Sequence, residues 1–245
     1  MSDSPFRPRP PLDADAALDL LRHAEVEILG RMPYSSNGTF LVDLCDDGDV
    51  PAQAIYKPAK GERPLWDFPD GLYTREVAAF RLSEQLGWGH VPPTVVRIGP
   101  YGIGSLQLFV PADFEEHYFT LLDDESRHEA LREICAFDFV ANNTDRKGGH
   151  VLAGTDGDLW AIDNGLSFHI EFKLRTVIWD FAGEELPEQV KSGLVSLLDD
   201  GLTDELAELL DPLEQDAVRA RASTLLGARH FPHDSTGRRY PWPMV

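Results

Sequence analysis

The sequence predicts a two-lobe α+β protein, with a strand-rich first lobe over residues 25–110 and a helical second lobe over residues 111–245. The first region contains short runs that either alternate like strands or are rich in β-branched and aromatic residues. Long amphipathic segments, apolar on one face at helical spacing, dominate the second region. Residues 1–24 are expected to form a proline-rich arm followed by one helix.

The first lobe is predicted to contain five strands and one internal helix. The segment DADAALDLLRHA precedes it as a helix, with acidic residues at its start. The five strand-like runs are EVEILGRM, GTFLVDLCD, PAQAIYKP, VPPTVVRIG and IGSLQLFVP. Between the third and fourth runs, TREVAAFRLSEQLGW has one apolar face, and we expect Thr74 to cap this helix.

The second lobe is predicted to contain three helical segments and one hairpin. The helical segments are DESRHEALREICAFDFVANN, PEQVKSGLVSLLDDG and TDELAELLDPLEQDAVRARASTLLG. HVLAGTDGDLWAIDNG is predicted to be a β-hairpin that turns at GTDGD. Residues 229–245 are irregular, and we expect them to pack back on the lobe through Tyr240 and Trp242.

Charge and cysteine content limit the classes of partner. The formal net charge of −20 repels nucleic-acid phosphates and anionic lipids, although a local basic pocket would override that average. We therefore expect no nucleic-acid partner. Cys45 and Cys135 lack any CxxC spacing and suit a reducing compartment. Without a signal-like apolar region or an apolar run of about 18 residues, the sequence predicts a cytoplasmic protein with no stable membrane anchor.

A lysine, an acidic residue and a loop of small residues indicate a phosphate site in the first lobe. Lys57 ends an apolar strand, and Glu76 lies in the first turn of the next predicted helix. Phosphotransferases hold a lysine against nucleotide phosphates with such a helix carboxylate. YSSNGTF joins two strands with small residues whose backbone N–H groups would reach a phosphate, although it is not a Walker A loop. The alternative for Lys57 is a solvated surface lysine.

Two polar stretches of the second lobe have the spacing of a kinase catalytic loop and metal segment. Asp145 precedes Lys147 by two residues and His150 by five. In a kinase catalytic loop, the general base precedes a cation and a metal ligand by the same spacing. Asp163 follows an apolar strand at the place of a metal-binding acid. The alternatives are a turn salt bridge between Asp145 and Arg146 and a plain hairpin turn at DNG.

These motifs carry a family resemblance. NNTDRKGGHVL and AIDNGLSF resemble the NTDR and AIDNGLAF segments of the type II phosphatidylinositol 4-kinases. GSLQLFV resembles the strand leading to the hinge of those kinases, and AIYKP resembles their nucleotide-lysine strand. The match runs in order over roughly residues 28–170 and indicates the PI3/PI4-kinase-like group, which includes actinobacterial proteins. The resemblance implies a two-lobe protein-kinase-like fold that binds ATP and Mg²⁺ or Mn²⁺.

The resemblance also implies a role for each matching residue. It places Ser35, Ser36, Asn37 and Gly38 over the ATP phosphates, which Lys57 contacts while Glu76 holds it. Gln107 would lie at the back of the adenine pocket, and the backbone of Phe109 and Val110 would meet the adenine edge. Asp145 would position or deprotonate the acceptor hydroxyl, Lys147 would neutralise the transferring phosphoryl group, and Asp163 would hold the metal.

Two departures from the family pattern leave alternatives open. His150 stands where the kinase pattern has a metal-binding Asn, so it is either a ligand that favours Mn²⁺ or a structural residue. The cysteine-rich palmitoylation segment is absent, so a phosphoinositide is a less favoured acceptor than a protein or a soluble small molecule. Lys173 and Arg175 either meet an acidic substrate or belong to a solvated loop.

The sequence therefore predicts an ATP-dependent kinase with a hydroxyl acceptor. The first alternative is a nucleotide-binding pseudokinase that acts as a regulatory module, which the histidine at position 150 motivates. The second is a structural adaptor whose acidic surface binds a basic protein.

Overall fold

The structure is a computed structural model that describes residue 6 and residues 12–33, 37–46 and 49–245. The chain divides into two compact units, unit 1 with residues 1–77 and 92–111, and unit 2 with residues 78–91 and 112–245. Across the described ranges, no helix is both long and apolar enough to cross a membrane.

Unit 1 is built on a five-stranded antiparallel sheet in the order β1-β2-β3-β5-β4. The strands are β1 (Glu25–Arg31), β2 (Phe40–Asp46), β3 (Asp49–Pro58), β4 (Thr94–Gly99) and β5 (Gly102–Leu108). These elements confirm the five predicted strands. Side chains of the central strands fill the core of the unit, among them Val42, Leu44, Tyr56 and Leu106.

Helix α1 (Ala14–His23) packs on this sheet through its apolar face, which contains Ala17, Leu18 and Leu21. The Asp13 carboxylate accepts a hydrogen bond from the backbone N–H of Ala16 at 2.8 Å and so caps the helix. Arg97 on β4 donates to the carbonyl of Leu21 at 2.9 Å, which ties the end of α1 to the sheet edge.

Helix α2 (Leu72–Gln85) begins before the predicted position, and Glu62 rather than Thr74 accepts its first N–H groups. The Glu62 carboxylate accepts hydrogen bonds from the backbone of residues 71–73 at 2.7–3.1 Å. The Thr74 hydroxyl donates instead to the carbonyl of Gly71. A carboxylate at this end also complements the helix dipole. The Thr74 prediction was wrong because the acceptor comes from a preceding loop, which no local pattern reveals.

Unit 2 combines the second half of α2 and five further helices with a three-stranded sheet in the order β6-β7-β8. The five further helices are α3 (Tyr118–Leu121), α4 (His128–Ala141), α5 (Glu188–Asp200), α6 (Asp204–Ala207) and α7 (Pro212–Ala228). The strands are β6 (Ala112–Asp113), β7 (Val151–Gly154) and β8 (Leu159–Ala161), and β7 with β8 forms the predicted hairpin. Both α4 and α5 pack against α7 around buried apolar side chains such as Leu131, Ile134, Leu194, Val218 and Leu225.

The helical segment predicted over residues 203–227 is interrupted before α7. Pro212 is the first residue of α7, where its missing N–H removes no helical hydrogen bond. The Asp211 backbone N–H donates to the Glu214 carboxylate at 3.1 Å, one half of a capping box that starts a new helix there.

The last residues are held by their backbone rather than by the two aromatic rings named from the sequence. Trp242 is 88% exposed and Tyr240 is 44% exposed, so the prediction that they pack on unit 2 was wrong. The Arg239 carbonyl accepts a hydrogen bond from the backbone of Thr176 at 3.1 Å, and the Met244 carbonyl accepts one from Gly148 at 2.7 Å. The C-terminal segment therefore lies beside the polar loop that follows α4.

Candidate active site

In unit 1, Lys57 and Glu76 form an ion pair between the end of β3 and the second turn of α2. The Glu76 side chain is only 4% exposed, so its carboxylate depends on protein donors for its hydrogen bonds. Lys57 is partly exposed, and its ammonium is held at a fixed position by the pair. This arrangement presents a positive charge whose position is set by two regular elements, as a phosphate-binding lysine requires.

The loop between β1 and β2 contains the four predicted phosphate-loop residues. Ser35 and Ser36 lie outside the described residues. The Gly38 N–H donates to the carbonyl of Gly61 at 2.9 Å, and a Cβ on Gly38 would lie 3.1 Å from the Gly61 Cα. The Asn37 side-chain oxygen accepts a hydrogen bond from the backbone of Arg63 at 3.2 Å. Asn37 and Gly38 are therefore tied to the turn that directly follows β3.

The three residues assigned to the adenine side lie at or after the end of β5. Gln107 is buried, and its amide donates to the hydroxyl of the first residue of β4 at 2.9 Å. The backbone N–H of Phe109 donates to the carbonyl of Gln53 at 2.9 Å, and its ring stacks on Phe6 with centroids 5.0 Å apart. Val110 is buried. The Phe109 N–H is already donated to the Gln53 carbonyl, so an adenine contact made by the Phe109 backbone would use the Phe109 carbonyl.

In unit 2, the end of α4 shapes the loop that carries Asp145. Asn142 ends the helix in the left-handed conformation, with φ of 58°. Its amide nitrogen donates to the carbonyls of His169 at 2.9 Å and Glu171 at 2.7 Å. The Asn143 side chain accepts the backbone N–H of Asp145 at 2.9 Å. These side-chain bonds hold a short polar loop in one conformation.

Asp145 pairs with Lys147 across this loop, with Oδ2 and Nζ 2.6 Å apart. Burial raises the pKa of Asp145 above its ordinary value of 3.8, and the Lys147 ammonium opposes that rise. The Asp163 carboxylate adds to the rise because it repels a second negative charge nearby. The carboxylate of Asp145 is thus more basic than that of an exposed aspartate, which suits a proton acceptor.

Arg146 forms a buried ion pair that the sequence analysis missed. Its guanidinium donates to both carboxylate oxygens of Asp138 on α4, at 2.9–3.1 Å, and both side chains are fully buried. It also donates to the carbonyl of Ile162 at 2.7 Å and to the side-chain oxygen of Asn164 at 2.6 Å. The alternative Asp145–Arg146 turn salt bridge is therefore not formed. Arg146 instead joins α4 to the loop that holds Asp163.

The candidate metal ligands face each other, with His150 Nε2 and Asp163 Oδ2 3.5 Å apart. Asp163 has a left-handed backbone, with φ of 57°, which is unusual for a residue other than glycine. Its side chain is 52% exposed. In the part of the chain that the structure describes, no group of three or more His, Cys, Asp or Glu side chains converges as a metal site. Two side chains are too few to hold a divalent ion alone, so an ion bound there would need further oxygen ligands from a nucleotide or from water.

The comparisons with known proteins give one close sequence relative and several similar structures. Protein Rv2133c of Mycobacterium tuberculosis (strain ATCC 25618 / H37Rv) is 40% identical over 263 residues, covering 91% of this chain and 94% of that protein. No protein-family model matches the sequence.

Three solved kinase structures resemble the chain at low sequence identity. The Golgi casein kinase with Mn/ADP bound has a TM-score of 0.56 at 15% identity, over 95% of this chain and 80% of that one. The Helicobacter pylori proinflammatory kinase CtkA has a TM-score of 0.52 at 10% identity, over 86% and 94%. The hydra Fam20 structure with sugar has a TM-score of 0.52 at 14% identity, over 89% of each chain. The predicted kinase-like α+β fold is confirmed.

Proposed function

The chain belongs to the same family as Protein Rv2133c of Mycobacterium tuberculosis, and we propose that it is an ATP-dependent kinase that transfers the γ-phosphoryl group to a hydroxyl. The pairing of Asp145 with Lys147 on a kinase-like fold is the observation that carries this proposal. A basic carboxylate with a cation two residues away matches the general base and phosphate-neutralising group of phosphoryl transfer.

Unit 1 supplies the groups that hold the nucleotide. Lys57, held by Glu76, contacts the ATP phosphates, and the backbone of Asn37 and Gly38 lies over them. Val110 and the carbonyl of Phe109 meet the adenine. The geometry of the Lys57–Glu76 pair supports this role because the pair places one ammonium at the end of a rigid strand.

Unit 2 supplies the groups that act on the acceptor. Asp145 accepts the proton of the acceptor hydroxyl as its oxygen forms a bond to the γ-phosphorus. The bond from that phosphorus to the β,γ-bridging oxygen breaks, and its electron pair leaves with ADP. Lys147 neutralises charge on the transferring group. Asp163 and His150 would hold the divalent ion, which when bound neutralises the phosphate oxygens.

We also propose that the chain lies within the PI3/PI4-kinase-like group. The segments NTDR at residues 143–146 and AIDNGLSF at residues 161–168 support that placement. The favoured acceptor is a protein side chain or a soluble small molecule, and a phosphoinositide ranks below both because a net charge of −20 disfavours an anionic bilayer.

Turnover of γ-labelled ATP by the wild type and by Asp145→Asn tests the proposal. We expect phosphate release or self-labelling with Mg²⁺ or Mn²⁺ in the wild type, and its loss in a variant that still binds ATP. Full turnover in Asp145→Asn would remove the catalytic assignment. ATP binding without turnover by the wild type, with and without candidate acceptors, would favour the pseudokinase alternative that His150 motivates.

A further inference from the structure

A basic surface borders the loop that carries Asp145. Residues 172–179 and 235–245 contain no Asp or Glu, yet they contain Lys173, Arg175, Arg238 and Arg239. The whole chain has 42 acidic residues against 22 Lys and Arg. Within these bounds, which stop beside Glu171, Asp180 and Asp234, every charged side chain is positive, unlike in the chain as a whole.

Backbone hydrogen bonds place Arg175 directly beside Asp145. The Arg175 N–H donates to the carbonyl of Asn143 at 2.9 Å, and the Arg175 carbonyl accepts the N–H of Arg146 at 3.1 Å. These two bonds bracket Asp145 along the loop. The next residue, Thr176, donates its N–H to the carbonyl of Arg239 at 3.1 Å. The C-terminal segment therefore lies alongside the segment that contains Arg175.

Arg175 and Arg239 differ in how their charges are placed. Arg175 is exposed, and its charge is one of the influences that lower the pKa of Asp145 against the dominant effect of burial. The guanidinium of Arg239 lies over the ring of Phe172, 4.6 Å from the centroid, and 3.7 Å from the carboxylate of Asp234. A ring and a carboxylate thus hold the second cation in place.

We propose that this basic surface binds an anionic group of the phosphate acceptor, with Arg175 as the specificity-determining residue. The acceptor is then an alcohol that carries a carboxylate or a phosphate close to the reacting hydroxyl. This inference rests on the proposed kinase function and names its substrate class. A guanidinium matches both anions because its planar fork donates two parallel hydrogen bonds.

Two matched pairs of probes test the proposal by equilibrium binding, which needs no turnover. One pair is a serine peptide flanked by glutamates and the same peptide flanked by glutamines. The other is glycerol 3-phosphate and glycerol. Isothermal titration with the full chain would compare wild type, Arg175→Glu and Arg175→Lys, with Arg219→Glu as a control on the solvent side of α7. The peptide and polyol arms distinguish a protein acceptor from a small one.

We expect the charged member of at least one pair to bind about tenfold more tightly than its neutral partner, as one charge-assisted hydrogen bond implies. Arg175→Glu should abolish that difference, Arg175→Lys should retain part of it, and Arg219→Glu should leave it unchanged. Equal binding within both pairs, or a preference that survives Arg175→Glu, would overturn the proposal. Selective binding without any phosphoryl transfer would count against the kinase function and not against this surface.

Discussion

Arg146 follows Asp145 directly in the chain, but it forms its ion pair with Asp138, with Nη2 and Oδ1 2.9 Å apart. Both side chains are fully buried, and the Thr176 hydroxyl also donates to Asp138 at 3.1 Å. The pair therefore connects α4, the polar loop after it and the segment that contains Arg175. Asp145 is left to pair with Lys147 instead.

Replacing Asp138 by Asn should destabilise the protein strongly. The change leaves the Arg146 guanidinium buried without its counter-charge, and breaking a buried pair in this way costs about 3–5 kcal/mol. We expect the midpoint of denaturant unfolding to fall accordingly. Asp216→Asn removes an exposed pair with Arg219, 2.6 Å apart, and should cost less than about 1 kcal/mol. Equal midpoints for the two variants would show that the buried pair is not a main stabilising contact.

Local patterns in the sequence predicted much of the fold. Alternating apolar residues and runs of β-branched or aromatic residues predicted the strands of unit 1, and helical spacing predicted α4, α5 and α7. The motif chemistry predicted that Glu76 on the next helix holds Lys57 at the end of its strand, and the two side chains form that ion pair. The contact of Asp145 with Lys147 was not predicted, because the roles assigned to them do not require the two side chains to pair.

Contacts between distant segments were missed because no local pattern encodes them. Arg239 and Met244 accept hydrogen bonds from distant segments through their carbonyls, which every residue has. Glu62 caps α2 from the start of the loop that leads into it, which is beyond the range of a local capping pattern. Asp138 did leave a signal. It stands between Phe137 and Phe139 on a buried face of α4, where a carboxylate requires a cation.

Replacing Glu76 by Gln should weaken ATP binding by about tenfold or more, as the loss of a charge-assisted hydrogen bond implies. The change preserves the shape of the side chain but removes the charge that holds the Lys57 ammonium in place. Titration calorimetry with ATP and a divalent ion measures the effect. Glu84→Gln on the same helix, which breaks an outer pair with Arg81 at 2.9 Å, is the matched control. If both variants bind ATP as tightly as the wild type, the Lys57–Glu76 pair does not form the phosphate site.

The acid limb of the pH–rate profile should depend on Lys147. Asp145 accepts a proton only when it is ionised, and burial raises its pKa above 3.8, so the rate should fall as the pH drops through that raised value. The Lys147 ammonium opposes the rise, so Lys147→Met should raise the pKa further and move the limb to higher pH. Lys191→Met, which removes an exposed pair with Glu185, should leave the limb in place. A limb that moves to lower pH in Lys147→Met would contradict the assignment of Asp145 as the proton acceptor.

His150→Asn should shift the metal preference of the protein from Mn²⁺ towards Mg²⁺. The change replaces an imidazole nitrogen beside Asp163 with an amide oxygen, and Mg²⁺ favours oxygen ligands more strongly than Mn²⁺ does. The ratio of the two dissociation constants, measured with a non-hydrolysable ATP analogue by calorimetry and by Mn²⁺ magnetic resonance, reports the shift without turnover.

His150 is otherwise a structural residue, and the ratio of the Mn²⁺ and Mg²⁺ dissociation constants distinguishes that role from metal binding. The Lys147 backbone N–H faces His150 Nδ1 at 3.5 Å, and a ring that accepts there carries its proton on Nε2, towards Asp163. In that tautomer the ring positions Asp163 and binds no metal. An unchanged ratio in His150→Asn, with both ions bound more weakly, would assign this positioning role. A ratio that moves towards Mg²⁺ would require the Nε2 lone pair on the metal. With either outcome, Asp163→Ala should abolish metal-dependent ATP binding.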